Sequence, residues 1–137
     1  MARDCLFCKI IDGSIPSEKV YEDDKVVAIL DINPVTPGHT LVLPREHTDD
    51  FISTPPALLA EVMPSVHAVA ARVMKGVNAD GFAVVVFNGR AAGQEVFHLH
   101  VHIIPRKEGD GVRLGWPKTH YADGEMAELA EKIRAAK

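Results

Sequence analysis

The stretch His98-Leu99-His100-Val101-His102-Ile103-Ile104-Pro105-Arg106 alternates histidine with aliphatic residues. A period of two is the mark of a β-strand, whose successive side chains point to opposite faces. The pattern predicts a strand over Phe97 to Ile104, with Leu99, Val101 and Ile103 turned to the core. The three imidazoles then share the other face, spaced about 6.5–7 Å apart. Such a face is physically coherent when it lines a cleft, another chain or a helix.

Working outward, Gly81 to Phe87 (GFAVVVF) predicts a second strand. The connection between the two, Asn88 to Glu95 (NGRAAGQE), carries two glycines and should approach a ligand or another stretch of backbone closely. Upstream, Leu58, Leu59, Val62, Val66, Val69, Ala70 and Val73 recur at helical spacing between Pro56 and Asn78. Pro64 falls inside this run and should kink it or open a new first turn. Nearer the start, Lys19–Glu22 and Lys25–Ile32 read as strands separated by Asp23-Asp24, and His39–Leu43 as another, after the loop NPVTPG. Short helices are expected at Leu6–Ile11, ending at Gly13, and at about Glu125–Ala135. Five strands around one long helix predict an α+β fold, an antiparallel five-stranded sheet with its helices on one face.

Composition narrows the class. The 137 residues are 47% hydrophobic and 25% charged, the balance of one globular domain. No uninterrupted apolar run approaches the length of a membrane span, and Met1-Ala2-Arg3-Asp4-Cys5 does not resemble a secretory signal, so no membrane partner and a cytoplasmic location are expected. A net charge of −4 without a basic tract argues against coating nucleic acid. A small anionic ligand stays compatible, because backbone N–H groups can hold phosphate. Cys5 and Cys8 are the two cysteines, and their C-x-x-C spacing is open to metal binding, redox chemistry or coincidence.

The histidine strand has three readings. It can be a polar strand face with no further role. It can be a tri-histidine metal site, although the outer two residues of His-x-His-x-His lie about 13 Å apart along a strand, which strains one ion shared by all three. It can be a catalytic face, on which one imidazole attacks while its neighbours orient it and move protons. The third also uses the glycine-rich lead-in, which can present N–H groups to an oxyanion.

The chain resembles the histidine triad (HIT) superfamily, and the likeness extends well beyond the triad. It runs through FCKIIDGSIPSEKVYEDD, AILDINPVTPGHTLVLPREH and FNGRAAGQEVFHLHVHIIPR, with C-x-x-C and the ending GDGVRLGWPKTH as in bacterial members. The resemblance implies a single HIT domain, with a core over about residues 5–106 and a C-terminal tail and helix over 107–137. It implies that His100 is a nucleophile on the α-phosphorus of an AMP- or GMP-linked phosphoramidate or related purine nucleotide, with His98, His102 and His39 supporting it. Asn88 and Gln94 match phosphate-holding positions, and Val96 is expected beside the substrate. Phe7, Ile10, Ile15, Ile29 and Ile32 match base-facing positions, although by spacing alone they read as core. Asp31 matches a ribose-binding acid.

At Glu95 this chain departs from relatives that carry a small hydroxyl residue, which puts its leaving-group preference in question. The resemblance further implies a structural zinc on Cys5, Cys8, His47 and His98, no cofactor for the chemistry, and a homodimer. Cleavage of dinucleoside polyphosphates is the alternative enzymatic reading. A zinc-stabilised nucleotide-binding protein without turnover is the non-enzymatic one. His67 and His120 have no assigned role, and Trp116 is placed at an interface.

Overall fold

The computed structural model describes residues 4–113 and 115–137. The chain runs α1 (Leu6–Ile11), β1 (Lys19–Glu22), β2 (Val26–Leu30), β3 (Thr40–Pro44), α2 (Pro56–Gly76), β4 (Gly81–Val85), β5 (Val101–Arg106) and α3 (Glu125–Ala135). A short 3-10 turn at Arg90–Ala92 lies between β4 and β5. The five strands form one antiparallel sheet in the order β1-β2-β3-β5-β4. The α+β architecture expected from the alternation and the helical spacing is therefore the one observed.

The β1–β2 hairpin is tied by Asp23. Its carboxylate accepts from the backbone N–H groups of Lys25 and Val26, the Tyr21 hydroxyl and the Ser65 hydroxyl of α2. Burial acts to raise the Asp23 pKa, yet these four donors together pull it down to about 2.

The two faces of the sheet carry different cores. On one, Val26, Ala28, Val42, Val101 and Ile103 pack against Leu58, Val62, Val66, Val69, Ala70 and Val73 of α2. On the other, Val27, Ile29, Leu41 and Leu43 pack against Cys5, Phe7, Cys8 and Ile10 around α1. The expectation of helices on one face is thus corrected. Both faces of β2 and β3 are apolar, so each needs its own cover. His102 pairs with Leu41 across β3 and β5 and so shares the α1 face.

Two further expectations change. The strand predicted from Phe97 begins only at Val101. The preceding residues leave the sheet: the Leu99 N–H donates to the Thr48 carbonyl, and the His98 ring occupies the Pro44 carbonyl. α2 is also long and apolar enough, by length and composition, to cross a membrane. One stripe, from Leu58 to Val73, lies against the sheet, and the opposite side of the helix is exposed. Pro64 sits within this 21-residue helix without ending it.

Candidate functional site

The tail of the Gly-Pro-rich loop delivers His39 to the start of β3. Gly38 has φ +95°, and a Cβ there would lie 2.7 Å from a Val77 methyl, so only glycine lets the loop pass α2 this closely. The Val35 N–H donates to His39 Nδ1 at 3.0 Å. The proton of the neutral His39 ring is thereby placed on Nε2, which lies 2.9 Å from His102 Nδ1 and donates to it. His102 in turn carries its proton on Nε2. The His100 ring stands 5.0 Å from that of His102, centroid to centroid. Its Nδ1 lies 2.7 Å from the His98 carbonyl, to which it donates, so the Nε2 lone pair of His100 is available for attack.

Burial lowers the pKa of all these imidazoles. His102 is pushed down to about 4, first by desolvation and then by His100 and His39. His39 and His100 are lowered from the same leading cause, opposed in both by Asp31. Neutral rings are what the tautomer order requires.

His100 and His102 line a cleft of about 410 Å³ on the α1 face. Phe7, Ile10 and Ile29 form its buried floor, with Ile15 and Val96 beside them. Ile32, 91% exposed, stands at its rim. Asp31 and Glu95 line it as well. One oxygen of Asp31 accepts from the Asn33 N–H, and the other lies 3.7 Å from His39 Nε2. Phe7 packs edge-on against His100 and Phe87 against His102, at 4.8 and 5.1 Å between centroids.

Three residues predicted for the site stand elsewhere. Gln94 is buried under the glycine loop, accepting from the Gly89 N–H and donating to the carbonyls of Asp49 and Val96. Asn88 accepts from the Phe51 N–H. Both shape the loop and do not line the cleft. His98, fully buried, turns away from His100 and His102 toward the cysteines.

Cys5 caps the N-terminus of α1, its Sγ accepting from the Cys8 N–H, so the C-x-x-C spacing brings both sulfurs to one side of the first turn. Cys5 Sγ is 3.4 Å from His98 Nδ1; Cys8 Sγ is 3.4 Å from His47 Nδ1 and 3.6 Å from His98 Nδ1. Donors on a tetrahedral ion with zinc-like bond lengths lie about 3.3–3.8 Å apart. His98 Nε2 donates to the Pro44 carbonyl and His47 Nε2 to the Asp49 carboxylate, leaving both Nδ1 atoms as lone pairs facing each other at 3.1 Å. Two such lone pairs repel without a cation between them, and the outer hydrogen bonds are those that orient metal-bound imidazoles. The four residues fit a metal ion such as zinc.

Asp49, the Val35 N–H, Phe87 and Leu6 were not anticipated. For Asp49 the sequence held a signal, a carboxylate two residues after His47. The Val35 contribution is a backbone group and leaves none. His67, His120 and Trp116 are all exposed, away from these clusters.

The HIT domain family matches residues 12–109, and the chain belongs to it. It is 46% identical, over 80% of its length and 56% of the relative's, to the adenylylsulfatase HINT3 of Arabidopsis thaliana. It is 36% identical to the adenosine 5′-monophosphoramidase HNT1 of Candida albicans, covering 95% of this chain and 89% of that one. A crystal structure from Streptococcus mutans superposes with a TM-score of 0.91 at 40% identity, covering 98% of this chain and 85% of the other.

Proposed function

We propose that the protein is a nucleotide hydrolase that cleaves purine nucleoside 5′-phosphoramidates at the α-phosphorus through a covalent intermediate on His100. The observation that carries this reading is the tautomer order. Backbone groups hold His100 with Nε2 unprotonated and His102 with Nε2 protonated, side by side in one cleft.

In the first step His100 Nε2 attacks phosphorus as the P–N bond breaks, and the departing nitrogen takes a proton from solvent. His102 Nε2–H is suited to donate to a phosphoryl oxygen as charge builds on it. In the second step water attacks phosphorus, releases the His100 lone pair and returns a proton to solvent. The net products are the amine and the nucleoside monophosphate. The apolar floor of Phe7, Ile10 and Ile29 suits a base, and Asp31 at the cleft edge suits ribose hydroxyls. The relatives named as a monophosphoramidase and an adenylylsulfatase support attack on an adenylyl phosphorus.

Release of a fluorescent amine from its adenosine 5′-phosphoramidate tests the reading. Wild type should turn over, and His100→Ala should lose at least about a thousandfold in kcat while still binding AMP. Binding without turnover in the wild type would sink it in favour of a nucleotide-binding protein.

For the metal cluster we favour zinc. Two thiolates with two imidazoles are its usual structural set, and zinc there would supply cross-linking of α1 to the β3 end, not reaction chemistry. A homodimer is the proposed assembly. The β4 edge strand leaves Phe82 and Val84 nearly half exposed, an edge that a second copy can cover. Sedimentation of Phe82→Lys against wild type tests this, and a monomeric wild type would overturn it.

A further inference from the structure

The charges of the cleft are one-sided. Among the described residues lining it there is no lysine or arginine, and its two ionisable acids are Asp31 and Glu95. Asp31 is engaged, accepting from the Asn33 N–H and facing His39. Among the described residues no hydrogen bond or ion pair involves the Glu95 carboxylate, although its side chain borders the space reached by His100 and His102.

Glu95 also borders a neighbouring depression of about 480 Å³, which it shares with the cleft through Leu6 and Val96. Asp31, Ile32 and Asn33 line the cleft alone, so Glu95 marks the end away from the ribose-binding acid. The depression continues past Asp4 and Asp49, again without a lysine or arginine among its lining residues. Cys5 and His47 of the metal cluster also line it, with the charge of two thiolates set against that of the ion. A group leaving phosphorus toward this end passes the Glu95 carboxylate and meets no lysine or arginine.

We propose that Glu95 sets the leaving-group specificity of the cleft, selecting adenylylated amines that carry a second positive charge and rejecting anionic leaving groups such as sulfate or polyphosphate. The inference rests on the α-phosphorus reading above and deepens it. A fixed negative charge near the departing atom stabilises a cationic leaving group and repels an anionic one whose charge grows as the bond breaks. No proton transfer is asked of Glu95. Protons move as in the two steps already given, and the carboxylate acts through its field.

The test compares three adenosine 5′-phosphoryl substrates in wild type, Glu95→Gln and Glu95→Ser. These are the N-(2-aminoethyl) amidate, its uncharged N-propyl isostere, and adenosine 5′-phosphosulfate. In the wild type, kcat/KM for the aminoethyl compound should exceed that for the propyl compound by roughly two- to fivefold, within the range of an exposed charge pair. Both substitutions should bring this ratio toward one and raise relative activity on the phosphosulfate. Added salt should erode the wild-type ratio but not that of Glu95→Gln. A ratio unaltered in both variants, with turnover intact, overturns the role of Glu95 and leaves the hydrolase reading standing. Absence of turnover of all three by the wild type overturns both.

Discussion

The two faces of the sheet are built on opposite principles. Against α2, valines and Ile103 fill space with apolar surface, and one aliphatic residue can replace another at modest cost. Against α1, each imidazole has a named partner for each nitrogen that is not left to ligand or metal. The same strands supply both faces. Val101 and Ile103 point into one and His102 into the other, so stability and chemistry are separated by the thickness of a strand. The α2 face should respond to substitution in proportion to volume, and the α1 face in proportion to lost orientation.

The metal cluster is where this separation should fail most. Cys8→Ala is expected to reduce bound zinc from near one per chain to trace amounts and to lower stability by several kcal/mol, because ion binding is linked to folding. Metal analysis paired with thermal unfolding measures both. Unchanged stability after loss of the metal would show that α1 is held by its apolar contacts alone.

Ile103→Ala, on the opposite face of β5, should cost about 2–5 kcal/mol by urea unfolding through transfer and cavity terms. Its kcat/KM at a temperature where it remains folded should stay close to wild type. A large loss of activity there would mean that the faces are coupled through β5.

His39→Ala should do the reverse. It frees the tautomer of His102 while removing little apolar contact. Turnover should fall roughly 10- to 100-fold, the range for removing a group that orients a working imidazole. KM should change less than kcat.

The last effect is in pH. The His102 pKa is about 4 in the folded chain, against an ordinary value near 6.5 that the unfolded chain regains, and His39 is shifted in the same direction. Between those two values the unfolded chain binds more protons, so stability should fall as pH drops from about 6.5 to about 4 and be flat above. His102→Asn should flatten that slope. An unchanged slope would assign it to other groups.

Much of this was legible in one dimension. The helical spacing of Leu58 to Val73 and the alternation at Val101 and Ile103 named the α2 core, since periodicity follows directly from backbone geometry. The resemblance carried Phe7, Ile10, Ile29 and Asp31 to one cleft, where spacing alone read the apolar ones as core. In the structure Phe7, Ile10 and Ile29 are both buried core and cleft floor. The same alternation misled at His98. Period two predicted three imidazoles on one face, but the chain leaves the sheet before Val101 and the first ring turns to Cys5 and Cys8. The resemblance matched Gln94 and Asn88 to phosphate-holding positions, whereas in the structure backbone groups engage both: the Gly89 N–H and Asp49 carbonyl for Gln94, and the Phe51 N–H for Asn88.

The sequence by itself determined the strand and helix pattern, the family and the cast of chemical groups, because these depend on local period and residue type. Which nitrogen of each histidine carries the proton, that the His98 ring leaves the face shared by His100 and His102, and that α1 closes the second face were decided only in three dimensions. Those outcomes depend on groups far apart in the chain: the Val35 N–H for His39, the Pro44 carbonyl for His98, and Cys5 for a histidine 93 residues away. A hydrogen bond or a metal site is a relation between places, and only packing brings those places together.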